Sequence, residues 1–587
     1  MLPTPIDASS IHLLKKLARA YSTLEAVNSE LQCLTGIVQF FETEADWQQA
    51  LCEVTATAGQ IADNHNAVEY GDFQTNLSLA RRVCTALSTD GYSPTVLIEP
   101  TCGQGNFIVA ALALFPTIRR LYGVEIYKPY LYQCKFNILT HYLHYPADSK
   151  PAIHLVHASV FDVDFGRLVA LAETDELLLL GNPPWVTNAG LGTLLSDNLP
   201  RKSNFKQHNG LDAVTGKGNF DIAESITIQL LRQFQHCRGH LAVLIKNSVI
   251  KNLLYEQQTN PFAISSIRKR VIDAKKEFAV SVDAALLTAR LGGEGAVRCA
   301  ESALVSQAQE VSEFGWVGRK FVANTTHYQS LARFDAVCPY EWRQGIKHDC
   351  SGVMELTKTA NRYGSAVQPV VELEDDLVFP LYKSSDLQKA VVDKPRKYVL
   401  VTQRRVGQAT DYIGLHYPLT QAYLQTHRER FDNRKSSIYK GKPPYSLFGV
   451  GDYSFKPYKV AISSLYKTAH FALILPDAGK PAMLDDTCYF LGFDTLSQAI
   501  LTQLVLNHQT TLALLQAITF SDAKRVYTKD VLMRLDLAGL AAMIPFDELI
   551  RACPDPLRPS VTPAAWEAYQ GQQQADNKAS LAQLTLF

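Results

Sequence analysis

Six short apolar runs, separated by stretches of helical spacing, constrain this chain more than any other feature. They are VLIEP (96–100), LYGVEI (121–126), IHLVHA (153–158), ELLLLGN (176–182), HLAVLI (240–245) and AALLTARL (284–291). A short apolar run without alternation is a strand buried on both faces, and helices between such strands build a parallel sheet covered on both sides. The pattern predicts an α/β domain over 65–299, preceded by a helical segment at 1–64 where apolar residues recur every three to four positions. Beyond 300 the regularity ends. Residues 300–565 are rich in Tyr, Pro and Gly with irregular strands, which predicts a separate α+β domain, and 566–587 reads as a mobile polar tail.

Composition excludes several classes. Hydrophobic residues make up 47% of the 587, enough for sizeable cores. The longest unbroken aliphatic run is the seven residues at 108–114, far below the ~20 residues a membrane helix needs. The first residues lack the basic-then-apolar pattern of a secretory signal. Eleven cysteines include no Cys-x-x-Cys pair, which argues against a zinc ribbon and a disulfide framework. A cytoplasmic protein with reduced thiols and no metal is expected. Lys+Arg and Asp+Glu both total 57, so a polyanionic partner requires a local basic surface on a neutral body.

Chemistry concentrates at three strand ends. In VLIEPTCGQGNFIVAAL (96–112) a buried strand ends at Glu99-Pro100, and Gly103-Gln104-Gly105 turns the chain into a helix near Asn106. Glycines permit the tight turn, and the helix N-terminus offers free N–H groups. Ile108 stands where the dinucleotide fingerprint has its third glycine. The next strand ends in Glu125, 20 residues beyond Gly105, where an acid accepts hydrogen bonds from ribose hydroxyls. Singly, these signals also fit a plain turn and a solvated strand cap; in register they favour an adenosine-containing ligand at the carboxyl edge of the sheet. The fourth run opens into Asn182-Pro183-Pro184-Trp185. Two prolines fix φ and carry no N–H, so the segment is a rigid edge exposing carbonyls. An Asn side-chain oxygen beside a proline carbonyl can accept both hydrogens of one amino group, with the Trp plane available to stack on a flat ring.

LLLLGNPPWVTN (177–188) resembles the catalytic (Asn/Asp/Ser)-Pro-Pro-(Tyr/Phe/Trp) motif of amino-methyltransferases acting on DNA bases. VLIEPTCGQGNF resembles the S-adenosyl-L-methionine loop of that family, and EYGDFQTNLSLARRV (69–83) is similar to the motif that encloses the methionine end of the cofactor. The motif order resembles the gamma class of Eco57I/TaqI type, and Asn at 182 resembles N6-adenine rather than N4-cytosine enzymes. The resemblance implies a Rossmann-like methyltransferase domain with a C-terminal target-recognition domain. It also implies methyl transfer to the N6 amine of an adenine flipped out of double-stranded DNA, in a restriction–modification or related defence system with a cognate restriction endonuclease or defence partner. Carried over residue by residue, it implies cofactor contacts at Phe73, Gln74, Thr75, Glu99, Thr101, Gly103, Gly105, Asn106, Glu125, Ser159, Val160 and Asn182. The catalytic group is Asn182, Pro183, Pro184, Trp185 and Phe278, the last stacking on the far face of the base. Where the family often has an acid after the third strand, this chain has Ser159, with Asp162 three residues on.

A local basic surface is present in the sequence. Residues 428–459 hold eight Lys/Arg against three acids, net +5, interleaved with aromatics. Such a mixture suits phosphate contacts and groove insertion, although a solvated face reads the same. The segments at 342–350, 380–386 and 434–460 loosely resemble the family's target-recognition region. Expected DNA contacts are Arg404, Arg405, Arg434, Lys435, Tyr439, Lys440 and Lys442, with smaller basic clusters at 201–206 and 268–270. Two alternatives stay open: another amino substrate (N4-cytosine, an RNA base or protein glutamine), and a DNA-binding protein with an inactive methylase fold.

Overall fold

The computed structural model describes residues 7–55, 74–186, 221–280, 282–304, 312–359 and 362–584; Phe73 and the basic cluster at 201–206 lie outside them. The chain forms two compact units, Met1–Phe321 and Val322–Phe587.

The first unit is built on one ten-stranded sheet. Its strands are β1 (Val96–Glu99), β2 (Arg120–Glu125), β3 (Ala152–His157), β4 (Leu177–Gly181), β5 (Gly239–Lys246), β6 (Ile264–Ile272), β7 (Ala284–Leu291), β8 (Arg298–Ala303), β9 (Ser312–Val317) and β10 (Lys320–Val322). They lie in the order β10-β9-β8-β6-β7-β5-β4-β1-β2-β3. Strands β1 to β5 are mutually parallel, and every residue of β1 and β4 is buried. This is a doubly wound, Rossmann-like arrangement. The order reverses between β1 and β4, and such a switch point opens a crevice at the carboxyl ends of the strands.

Two elements differ from the sequence expectation. AALLTARL is β7, and it runs antiparallel between β5 and β6. Burial on both faces sets its composition, and composition carries no direction. Strand β6 hides its nature because Arg268, Lys269 and Arg270 interrupt its apolar pattern. Their charges are committed inside the unit, Arg270 to Asp90 and Lys269 to Glu301 at 2.8 Å, so the basic cluster at 268–270 is part of the sheet's own electrostatics.

The expected boundaries at 64 and 300 do not delimit the first unit. The helices Ala8–Ala20, Leu24–Thr35 and Glu44–Thr55 belong to it. Ile37 bridges Ile153 of β3, and the fully buried Lys135 donates to the Phe40 carbonyl at 2.7 Å. At the other end the sheet continues through β8, parallel to β6, and β9, antiparallel to β8.

The second unit carries two five-stranded sheets, which bears out the expected C-terminal α+β region. One runs Arg343–Gln344, Cys488–Phe493, Tyr458–Ser463, Ala472–Ile474, Val391–Val392; the other runs Arg362–Ser365, Glu355–Thr359, Lys397–Leu400, Val378–Tyr382, Met483–Leu484. The tail expected to be mobile is instead helix Pro563–Leu584. Trp566 and Tyr569 are buried, and the Tyr569 hydroxyl meets Thr502 Oγ1 at 3.1 Å. Gln570 Nε2 donates to the Ala541 carbonyl at 2.9 Å, and the fully buried Gln573 donates to the Tyr340 hydroxyl. Glutamine looks polar in a composition count, yet its amide satisfies buried carbonyls when the helix docks.

Lys459 on strand Tyr458–Ser463 lies fully inside this unit, its Nζ donating to the Lys456 carbonyl at 2.6 Å. Burial depresses its pKa from 10.5 to about 7. Between those values the unfolded chain holds a proton that the folded chain does not, so stability rises with pH across that window. Hydrogen exchange on this strand, with urea as denaturant, should show the unit gaining stability from pH 7 to pH 9. Lys459→Met should flatten that slope; an equal slope in both proteins would mean that Lys459 is charged in the fold.

Candidate active site

A cleft of about 900 Å³, counted out to solvent, opens at the carboxyl ends of β1, β2 and β4. Its floor is the turn after β1. Gly103 has φ +51° and Gly105 φ +79°, both left-handed. A Cβ on Gly105 would stand 2.4 Å from Cys134 Sγ on helix Lys128–His144, and one on Gly103 would stand 2.6 Å from Gln74 Oε1. Glycine is therefore required twice, at 105 by a neighbouring helix and at 103 by the residue that covers the loop. Helix Asn106–Leu114 starts there with no side-chain cap.

Two other segments fasten this floor. Glu125 accepts the Gly103 N–H and the Tyr127 N–H, each at 2.8 Å. Gln74 Oε1 accepts the Gln104 N–H at 3.3 Å, and the Thr75 carbonyl accepts Asn106 Nδ2 at 2.9 Å. Thr75 Oγ1 accepts Asn182 Nδ2 at 3.2 Å, so the Gln74-Thr75 pair joins the glycine turn to the Asn-Pro-Pro edge. Asn76 extends the link, donating to Glu277 at 3.2 Å, and Arg82 reaches the same carboxylate at 2.6 Å. Glu277 precedes Phe278, whose ring packs edge-on against Trp185 at 4.9 Å.

Two polar atoms in the cleft are buried without a hydrogen-bond partner among the described residues: Glu99 Oε2 and Thr101 Oγ1. Burial above all, with Glu125 adding to it, pushes the Glu99 carboxyl well above the usual range. A buried carboxyl oxygen and a buried hydroxyl without partners are costly for a fold alone, and they mark a place where a polar ligand group completes the bonding.

Of the expected cofactor residues, Gln74, Thr75, Glu99, Thr101, Gly103, Asn106, Glu125, Val160 and Asn182 line this cleft, as do Pro183 and Pro184. Gly105 and Ser159 are not in its lining. Gly105 serves helix packing, and Ser159 Oγ accepts the Phe161 N–H at 3.3 Å, shaping the turn that presents Ala158, Val160 and Phe161. The sequence expectation missed Ile126, Tyr127, Tyr130, Phe161, Ile222 and Ile226. Ile126 was findable as the residue following Glu125; Ile222 and Ile226 enter from a helix with no motif. Trp185 was expected to offer its plane to a flat ring, but it is 4% exposed, with its indole N–H donated to the Leu244 carbonyl at 3.1 Å. The half-buried Phe278 is the more open aromatic of the pair.

Comparison with known proteins gives the lineage. No family model matches the chain. Over 481 residues it is 37% identical to the Type II methyltransferase M.NspV of Nostoc sp. (strain ATCC 29411 / PCC 7524), covering 81% of this chain and 98% of that protein. The chain belongs to the Type II methyltransferases. Among solved structures, the Type IIL restriction-modification enzyme MmeI in complex with DNA aligns with TM-score 0.47 and 12% identity, covering 87% of this chain and 72% of that one. The modification protein of the type I enzyme EcoKI aligns with TM-score 0.27 and 12% identity, covering 56% and 71%.

In this Type II methyltransferase the basic stretch of the second unit divides into two kinds of residue. Arg434 is half-buried and donates to three backbone carbonyls: Phe431 at 3.0 Å, His348 at 3.1 Å and Ser446 at 2.8 Å. Its guanidinium stacks 3.6 Å from the Tyr439 ring centroid. Arg434 and Tyr439 therefore hold the fold, while Tyr445 belongs to the core cluster and the partly buried Phe455 packs against it. Lys456 pairs with Asp494 at 2.5 Å, and Arg428 with Asp432 at 3.0 Å. Lys435, Lys440 and Lys442 are exposed, as are Arg404 and Arg405, with Arg404 lying 4.1 Å over the Phe455 ring. Arg434→Ala strands three carbonyls and should cost about 1–3 kcal/mol of stability in urea titration. The triple change of Lys435, Lys440 and Lys442 to Ala should stay within about 0.5 kcal/mol of the parent. A neutral Arg434→Ala would remove the structural role.

Proposed function

We propose that this protein is a DNA methyltransferase of the gamma order that transfers a methyl group from S-adenosyl-L-methionine to the N6 amine of an adenine flipped out of double-stranded DNA, as the modification arm of a restriction–modification system. The observation that carries the reading is the convergence of the Asn182-Pro183-Pro184 edge and the Glu125-held glycine turn on one cleft at the switch point of the sheet.

The residues present fit the cofactor. Glu99 Oε2 and Thr101 Oγ1 are orphaned polar atoms suited to an ammonium group. Glu125 stands where ribose hydroxyls are accepted, and Ile126, Val160 and Phe161 supply apolar surface for an adenine ring. When bound, the cofactor supplies a methyl group activated by a sulfonium. The chain's own part is to make the amine nucleophilic. An exocyclic amine delocalises its lone pair into the ring; hydrogen bonds from its N–H groups to Asn182 Oδ1 and the Pro183 carbonyl draw that density back to nitrogen. Neither acceptor is a strong base, so the rate comes from placement and oriented dipoles. The base leaves the duplex to reach this edge, and Phe278, backed by Trp185, gives its ring an aromatic neighbour.

The experiment is methyl transfer from labelled cofactor to duplex DNA, with digested nucleosides identified by mass spectrometry. N6-methyladenine is expected; N4-methylcytosine would redirect the reading, and no product on any DNA would refute it. Asn182→Ala should lower kcat by roughly 10²-fold or more, the scale of losing one preorganised polar partner, with cofactor affinity measured alongside.

Exposed Lys435, Lys440 and Lys442, with Arg404 and Arg405, are proposed phosphate contacts. Each true contact adds about one unit to the salt dependence of binding. Changing the three lysines to Ala should flatten the slope and weaken binding on every sequence while the methylated site stays the same. An unchanged slope would assign these lysines to a solvated face.

A further inference from the structure

The Asn-Pro-Pro edge cannot hold itself in place. Pro183 and Pro184 have no N–H to donate, so whatever fixes their height over the cleft acts from the flanks. On the upstream side Thr75 takes the Asn182 amide. On the downstream side Trp185 is gripped twice by β5: its indole N–H donates to the Leu244 carbonyl at 3.1 Å, and its own carbonyl accepts Lys246 Nζ at 2.7 Å. Gly181 of β4 is level with Val243 of β5, so Lys246 stands as far beyond that pair as Pro184 does. The same Nζ donates to Asp221 Oδ2 at 2.7 Å. Asp221 Oδ1 accepts the Ala223 N–H at 3.0 Å, and the Val186 carbonyl accepts the Ile222 N–H at 2.9 Å. Lys246 thus ties the outgoing end of the tetrapeptide to the start of helix Ile222–Phe234, whose Ile222 and Ile226 line the cleft.

Stability is a weak reason for such a pair. The side chains of Lys246 and Asp221 are 18% and 9% exposed, and a desolvated ion pair gives little net stability over an apolar pair of similar size. Its geometric effect is specific: one ammonium fixes the carbonyl next to the Pro-Pro unit.

We propose that Lys246 is a positioning residue for the transfer step, acting through the Trp185 carbonyl to set where Asn182 and the Pro183 carbonyl meet the target amine, with Asp221 as its counter-ion. The inference rests on the reading of Asn182 as an acceptor of that amine. A displacement of about 1 Å at such an edge can cost roughly 10²-fold in rate without altering what binds.

The test is the full-length double variant Lys246→Met/Asp221→Asn, which leaves no lone buried charge and keeps the cap on Ala223. Turnover is counted per site that binds S-adenosyl-L-methionine, titrated by calorimetry, so misfolded protein does not enter the rate. A fall in kcat of ten-fold or more is expected, with KM for DNA and cofactor affinity within about three-fold of the parent. Lys246→Ala should behave alike and regain rate on addition of propylammonium, a readout that a merely structural loss does not show. Parental kcat in the double variant overturns the proposal, as does a Lys246→Ala protein whose rate falls but does not respond to the amine. Asn182→Ala, run in parallel, separates the two ideas. If it retains turnover, the reading of the catalytic edge fails; if it is inactive while the double variant is normal, only the assignment of Lys246 fails.

Discussion

Two adjacent prolines at the mouth of a fully buried strand set the terms for the first unit. Strand β4 needs no help inside the sheet, because its neighbours satisfy its ladder. Past Gly181, however, Pro183 and Pro184 expose carbonyls and supply no donors. A rigid edge of acceptors suits the capture of an amine, but it cannot anchor itself by backbone hydrogen bonds. The surrounding structure answers with side chains: Thr75 upstream, and Lys246 and the Trp185 indole downstream. Short segments far apart in sequence converge here because the edge must be held from outside.

The Gln74-Thr75-Asn76 segment is the junction of that scaffold. One residue bonds the glycine turn, the next bonds both the following helix and Asn182, and the third reaches Glu277 beside Phe278. The glycine turn, the Asn-Pro-Pro edge and the segment bearing Phe278 therefore share a connection three residues long. Glu99 adds an electrostatic tension within it: a carboxyl buried at the end of β1, pushed toward its neutral form, with an oxygen left unpartnered among the described residues. Such a group is better explained by a ligand that completes it than by the needs of the sheet.

Charge in this protein is largely spent internally. A chain with equal numbers of acidic and basic residues could still concentrate its cations on one surface, and the 428–459 stretch reads that way by composition. In the fold, Lys459 is buried, Arg434 closes a loop on three carbonyls, and Lys456 and Arg428 meet acids. What reaches solvent in that stretch is Arg430, Lys435, Lys440 and Lys442, with Arg428 beside its acid, together with Arg404 and Arg405 on a separate loop. Arginine is prone to this double reading because its planar fork serves backbone carbonyls as readily as phosphates.

The sequence alone determined whatever follows from local composition. Unbroken apolar runs encode burial on both faces, so five parallel strands were legible, and Gly103, Glu125 and Asn182 were legible because turn, acid and proline signals each sit directly after such a run. Tertiary structure decided whatever depends on a partner distant in sequence. The direction of β7, the strand nature of β6 with its internal ion pairs, and the docking of helix Pro563–Leu584 all rest on neighbours that no local window contains. The same holds at the cleft: Ile222 and Ile226 reach it from a helix without a motif, and Trp185 lies closed against Phe278 rather than open. Burial, pairing and hydrogen-bond satisfaction are properties of assembled surfaces, and a residue type fixes only which of them it is able to join.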